Sequence, residues 1–229
     1  MRIGVDVGGT NTDAVLVDGL RVVASCKQPT TEDVSSGIEA ALRRVLMSAG
    51  VEPQAVTAVM IGTTHFTNAF VARQSLLPVG ILRVALPAAR GIPPLVDWPR
   101  DIRQAIGGPC FQVRGGVQYD GRVNAELDEK AVREAAQHFR EAGIQSVAIS
   151  SLFSPISADM ELRAADIVRA EMGAEVAITL SHTIGRIGLL ERENATIMNA
   201  SLARLSREVV RSFGAAMRAL SLQAPFYIS

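Results

Sequence analysis

The chain opens Arg2-Ile3-Gly4-Val5-Asp6-Val7-Gly8-Gly9-Thr10-Asn11-Thr12-Asp13-Ala14-Val15-Leu16-Val17-Asp18-Gly19, and this stretch governs how the rest is read. Ile3, Val5 and Val7 alternate as on a half-buried strand, and Thr12 to Val17 reads as the returning strand of a hairpin. Between them, Gly8 and Gly9 permit a turn at positive φ and remove the Cβ atoms that would keep a phosphate away. Backbone N–H groups of that turn, with the Asn11 amide and the Thr10 and Thr12 hydroxyls, can receive phosphate oxygens. Asp6, at the strand end beside the glycines, is placed to hold a magnesium ion directly or through water.

A strand followed by Gly-Gly-Thr also makes a plain tight hairpin. The flanking chemistry favours phosphate, because Asp6 brings a carboxylate to the turn and Asp13 follows three side chains able to hydrogen-bond. It is not a P-loop, since no Gly-Lys-Ser/Thr follows.

Composition narrows the partners. The 229 residues suffice for one large domain or two small ones, and Lys plus Arg balance Asp plus Glu at 23 each. No net field recommends nucleic acid or an anionic membrane, so a small molecule or a protein is the expected partner. No apolar stretch approaches the roughly 18 residues of a membrane span, and the N-terminus enters a strand instead of a signal peptide. The expected compartment is the cytoplasm. Cys26 and Cys110 make no disulfide framework or metal motif, and His65, His138 and His182 are too scattered in sequence for a local one.

Three extended segments, Arg2 to Val7, Thr12 to Val17 and Arg21 to Lys27, form an expected antiparallel meander. Ser35 or Ser36 is placed to cap a helix whose Ile38, Ala41, Leu42, Val45 and Leu46 share a face. Val56 to Ile61 is a continuous apolar run, the pattern of a strand buried on both faces. Gly62, Thr63, Thr64 and Asn68 follow it and enter a helix. A glycine, two hydroxyls and an amide at a strand's carboxyl end and a helix N-terminus suit an anion, and Thr63 or Thr64 equally suits a simple cap.

From Leu77 to Ala125, Pro87, Pro93, Pro94, Pro99 and Pro109 break the pattern into a loop-rich insertion, with Gln112 to Tyr119 and Arg122 to Ala125 as the arms of a hairpin turning at Asp120-Gly121 and a bulge or bend at Gly115-Gly116. Asp128 is placed to cap a helix with Val132, Ala135, Ala136 and Phe139 inward. Ser146 to Phe153 and Glu175 to Leu180 read as strands around another helix. One long helix is expected from Ile187 to about Leu220, and Ala224 to Ser229 starts a further strand. The division expected is therefore 1–85, a lobe with the phosphate hairpin; 86–180, the insertion with an α/β portion; and 181–229, the long helix and the start of a missing second lobe.

The hairpin Ile3 to Asp13, then Gly62-Thr63-Thr64 with Thr67-Asn68-Ala69, then Leu180-Ser181-His182 with Glu191-Arg192 and Asn199-Ala200, resembles the N-terminal part of the hydantoinase A and 5-oxoprolinase family across nearly the whole chain. The resemblance implies an α/β fold, an actin-like ATPase (ribonuclease H-like) lobe with a mixed sheet, shared with sugar kinases and acetate kinase. It implies ATP and Mg2+ as cofactors, Asp6 to Asp13 as the first phosphate segment, and ATP-driven opening of a cyclic amide or imide ring. Family members are longer, with a second Asp-x-Gly-Gly-Thr segment that does not occur here, so a missing C-terminal lobe or partner subunit is expected to complete the cleft. The residues of catalysis stay unassigned. The alternatives are a small-molecule kinase of the glucokinase-like group and a non-catalytic nucleotide-binding or assembly lobe. The apolar stripe from Leu190 to Leu220, short of a covering lobe, would favour a homo-oligomer.

Overall fold

The computed structural model describes residues 1–29 and 34–228, and the chain divides into two compact units, Met1–Ala72 with Leu205–Ser229, and Arg73–Arg204. This differs from the three-part division expected. The boundary falls at Arg73 instead of 85, and the segment from Leu205 onward belongs with the first unit.

In the first unit β1 (Arg2–Val7), β2 (Asn11–Asp18) and β3 (Arg21–Pro29) form the expected meander, followed by α1 (Val34–Ala49), β4 (Ala58–Thr63) and α2 (His65–Ala72). Ser35 and Ser36 lie in the first turn of α1 instead of preceding it, and the residues before Val34 are outside those described. β1 pairs antiparallel with β2 and parallel with β4, so the carboxyl ends of β1 and β4 meet at one edge, Val7 opposite Thr63.

The period of two fixes which face is which. Ile3, Val5 and Val7 are buried with Ala14, Leu16, Val59 and Ile61 against Ile38, Leu42 and Val45 of α1. Each large apolar side chain so buried contributes roughly 1.5–3 kcal/mol. Gly4, Asp6, Met60 and Gly62 occupy the alternate positions on the other face. β4 is thus buried on one face only, since Met60 is 44% exposed between the buried Val59 and Ile61. Its apolar run misled because Met60 is apolar without being core.

The second unit holds β5 (Val79–Leu86), α3 (Arg100–Ile106), β6 (Gly107–Arg114), α4 (Glu129–Glu141), β7 (Ser146–Ser151), α5 (Asp159–Met172), β8 (Ala177–Leu180) and α6 (Leu189–Ser201). Its four strands are parallel, in the order β6-β5-β7-β8. β5, α3 and β6 up to Phe111 lie where loop was expected, and the end of β6 overlaps the hairpin arm expected from Gln112. β5 is the strand buried on both faces here, every residue from Val79 to Ala85 being buried. At 132 residues against the 97 of the first unit, by the bounds Arg73–Arg204 and Met1–Ala72 plus Leu205–Ser229, it is the larger of the two. Gly115 and Gly116 bend the chain after β6 at φ 145° and 96°, and a Cβ on them would lie 2.3 Å from Val84 Cγ1 and 2.7 Å from Leu152 Cβ. Only glycine fits there. The turn at Asp120-Gly121 forms with Gln118 N–H donating to Arg122 O at 2.7 Å, closed by one bridge between Val117 and Val123. Asp128 caps α4 as expected, its Oδ1 accepting the Ala131 N–H at 3.0 Å, an interaction worth about 1 kcal/mol.

The single long helix is two: α6 ends at Ser201, Leu202 leaves the helical pattern, and α7 runs Ala203–Ala219 before β9 (Phe226–Ile228). The apolar stripe divides accordingly. Ile197 and Ala200 pack in the second unit, whereas Val209, Phe213, Ala216 and Met217 complete the core of the first. β9 adds to the edge of β4 in parallel, giving the order β3-β2-β1-β4-β9. Most of the stripe is therefore covered inside each unit, with Met198 38% exposed, which weakens the reason it offered for self-association, and β9 joins this sheet.

Candidate functional site

The carboxyl edge of β1 and β4 gathers the polar residues singled out in the sequence. Asp6 stands opposite Asp13 on β2 and Gly62 on β4. Side chains at these positions share the open face, and a Cβ on Gly62 would lie 3.5 Å from Asp6 Oδ1. A groove of about 640 Å³ covers this face, its lining including Gly4, Asp6, Asp13, Lys27, Met60 and Gly62. Asp13 has Lys27 Nζ at 3.7 Å, whereas Asp6 makes no ion pair among the described residues. Cys26 also borders the groove, but its Sγ donates to Ala41 O at 3.4 Å on the α1 side, and burial pushes the thiol up. It is a packing residue.

The hairpin turn is closed by Gly8 N–H donating to Asn11 O at 3.0 Å. Neither Gly8 nor Gly9 adopts positive φ, contrary to expectation. What the glycines supply is space: a Cβ on Gly8 would press on Asn11 O at 3.2 Å, and one on Gly9 would stand 3.9 Å from Asn68 Nδ2. Gly9 and Thr10 are exposed. Thr12 is 1% exposed, on the core face with Ala14 and Leu16, so its hydroxyl is closed to a ligand. The alternation of β2 that brings Asp13 to the open face turns Thr12 away from it.

The second segment lies beside the first. Thr63 Oγ1 is 3.2 Å from Val7 O and 2.7 Å from His65 Nδ1, and it accepts the His65 N–H at 3.2 Å. Thr63 is thus a local cap that also ties α2 to the end of β1. Thr64 and Asn68 remain exposed, with Asn68 Nδ2 donating to Thr64 Oγ1 at 3.3 Å. Exposed backbone of Gly9 and Thr10, the Asn68 amide and the start of α2 consequently surround one edge. The arrangement suits the oxygens of a phosphate chain.

The described residues contain no cluster of three or more His, Cys, Asp or Glu side chains able to hold a metal. A cation here would rest on Asp6, with water and phosphate oxygens completing its shell, which is how Mg2+ is ordinarily held beside phosphates. The unpaired carboxylate of Asp6 and the Cβ-free approach at Gly62 fit such an ion. Among the described residues no helix is long and apolar enough to cross a membrane.

Residues 2–172 match the family described as the hydantoinase/oxoprolinase N-terminal region. The caprolactamase alpha subunit of Pseudomonas jessenii is 30% identical over 98% of this chain and 34% of its own. The acetophenone carboxylase gamma subunit of Aromatoleum aromaticum is 29% identical over 88% and 31%. A crystal structure of ATP-dependent caprolactamase from Pseudomonas jessenii superposes on the whole chain and 35% of its own, with a TM-score of 0.76 at 26% identity. A nucleotide-free acetone carboxylase does so over 99% and 35% with a TM-score of 0.75 at 20% identity. Both bear out the actin-like ATPase type of α/β fold that the family resemblance implies. The chain spans about a third of the length of these relatives.

Proposed function

The chain belongs to the hydantoinase/oxoprolinase N-terminal family, and we propose that it is the N-terminal portion of an ATP-dependent hydrolase opening the ring of a cyclic amide or imide. The observation that carries this reading is the meeting of Gly9 and Asn68 at the edge where the unpaired Asp6 stands. It is supported by similarity to a caprolactamase subunit and to an ATP-dependent caprolactamase structure.

In this reading Gly8, Gly9, Thr10 and Asn11 supply hydrogen-bonding groups to the phosphates, with Gly62, Thr64 and Asn68 lining the other side and Asp13 beside Asp6 on the open face. Thr63 positions α2, and Thr12 serves the core. Asp6 would hold Mg2+, whose charge supplies stabilisation of the phosphate oxygens. Phosphoryl transfer rests on positioning and on charge stabilisation from several sides. One edge of one sheet offers part of that shell. The remainder would come from a C-terminal lobe or a partner subunit, in keeping with the chain's share of its relatives' length. The chain would then be one lobe of the enzyme.

The test is magnesium-dependent ATP hydrolysis coupled to ring opening, measured on the full-length enzyme with ε-caprolactam, 5-oxoproline and hydantoin as substrates. The expected result is ATP turnover stimulated by one of the three and lost with Asp6→Asn. ATP turnover that no cyclic amide stimulates, or that survives Asp6→Asn, would overturn the proposal.

A further inference from the structure

At the carboxyl ends of β7 and β8, in the second unit, lies a second polar cluster. Its centre is Glu161 of α5, fully buried. Glu161 Oε1 accepts the Ser151 N–H at 2.8 Å and the Ser181 hydroxyl, and Oε2 accepts the His182 N–H at 3.1 Å and faces His182 Nδ1 at 2.7 Å. A carboxylate only accepts, so the proton of that last bond sits on Nδ1.

The neighbours settle the remaining valences. Ser181 Oγ gives its hydrogen to Glu161 and accepts Arg192 Nε–H at 2.9 Å, with Ser154 Oγ at 3.1 Å. Arg192 Nη1 donates to the carbonyls of Arg186 at 2.7 Å and Ile187 at 2.9 Å, and Nη2 to that of Ser151. Burial pulls the Arg192 guanidinium down from its ordinary range. The charged groups around the imidazole are therefore Glu161 from α5 and, one hydroxyl away, Arg192 from α6. His182 Nε2 makes no hydrogen bond among the described residues, and the His182 side chain keeps 20% of its surface open while Glu161 keeps none.

A buried carboxylate that holds Nδ1–H leaves Nε2 as the ring nitrogen without a partner, and an imidazole oriented in this way can take a proton at Nε2 and give it back. It stands at the carboxyl edge of a parallel sheet, where such sheets bind small molecules. We propose that His182, held by Glu161, is the proton-transfer group of a small-molecule site in the second unit, and that the molecule taken is the cyclic amide. This rests on the ring-opening reading above. In the step it serves, a water oxygen bonds to the ring carbonyl carbon and one water proton passes to Nε2. The C–N bond then breaks with its electron pair on nitrogen, and Nε2 returns the proton to that nitrogen. The second water proton stays on the new carboxyl group, giving the ring-opened amino acid.

Two measurements test it. In the 229-residue chain, modification of histidines by diethyl pyrocarbonate is followed by peptide mass with and without ε-caprolactam or 2-pyrrolidinone. His182 should react at Nε2, and a lactam at about five times its Kd should slow that reaction about sixfold by mass action. His138, whose Nδ1 lies 2.8 Å from Glu134 O on an exposed helix face, serves as the unprotected control. In the full-length enzyme, His182→Asn keeps an amide that can donate to Glu161 but cannot carry a proton. It should lose about 10²- to 10⁴-fold in ring opening and the pH dependence of that step, with ATP binding unchanged. Absence of lactam protection at His182, or wild-type ring opening by His182→Asn, would overturn the inference. Failure of the nucleotide reading looks different: Asp6→Asn would keep full ATP turnover while the lactam still protected His182.

Discussion

Gly9 and Asn68 stand face to face: a methyl group placed on the glycine would lie 3.9 Å from the Asn68 amide nitrogen, although 59 positions separate them in sequence. That spacing is ordinary van der Waals contact, so the fold tolerates alanine, but a phosphate resting on the Gly9 backbone does not. Gly9→Ala should leave the thermal midpoint of the chain unchanged and weaken MgATP binding at least about tenfold, the equivalent of 1.4 kcal/mol. Calorimetric unfolding and ATP titration on the same sample separate the two effects. Unchanged ATP affinity would mean that the phosphates lie elsewhere.

Asp6 is exposed, makes no ion pair among the described residues and stands one residue before the end of β1 without serving the core. Asp6→Asn should therefore leave the unfolding transition where it is and lower magnesium-dependent ATP turnover of the full-length enzyme by about 10²-fold or more. Raising the magnesium concentration should restore little, because an amide is a poor substitute for a carboxylate on a hard cation.

The 229-residue chain alone should bind MgATP weakly and hydrolyse it negligibly, since one edge supplies only some of the groups that phosphoryl transfer needs. Adding the rest of the enzyme as a separate polypeptide should restore turnover if the two associate. Vigorous ATP hydrolysis by the isolated chain would show that the described edge is completed from within it.

Arg83 is fully buried in β5, its fork engaging both oxygens of the equally buried Glu193 while Ser150 Oγ donates to Oε2 at 2.7 Å. Arg83→Met strands a buried carboxylate and should destabilise the second unit by about 3–5 kcal/mol, whereas Arg83→Met with Glu193→Leu should recover most of that. Chemical denaturation of the three proteins decides it. A double variant no better than the single one would show that the pair's other hydrogen bonds, to Ile92 O and Ser150, matter more than its charge.

Local pattern was enough wherever an element's environment is set by its own residues. The alternation of Ile3, Val5 and Val7 fixed the hairpin, the Asp128 cap and the four apolar residues of α4 fixed that helix, and the two segments of the phosphate edge were both visible as polar turns after apolar strands. Thr12 could have been placed correctly too, since the alternation that turns Asp13 outward must turn its neighbour inward. β5 was hidden because a strand buried on both faces has no period, and because Arg83 in its middle looks like a surface residue. Only Glu193, 110 positions later on α6, makes that arginine a core residue.

By itself the sequence determined the α/β class, the hairpin with Asp6 at its end and the helices with clear apolar faces, because these follow from spacing along a few turns of chain. Tertiary structure alone decided three things: that Gly9 meets Asn68, that α7 returns to the core of the first unit and β9 to its sheet after the second unit, and that Glu161 orients His182 across 21 residues. Each joins groups far apart in sequence, and no local periodicity carries the distance between them.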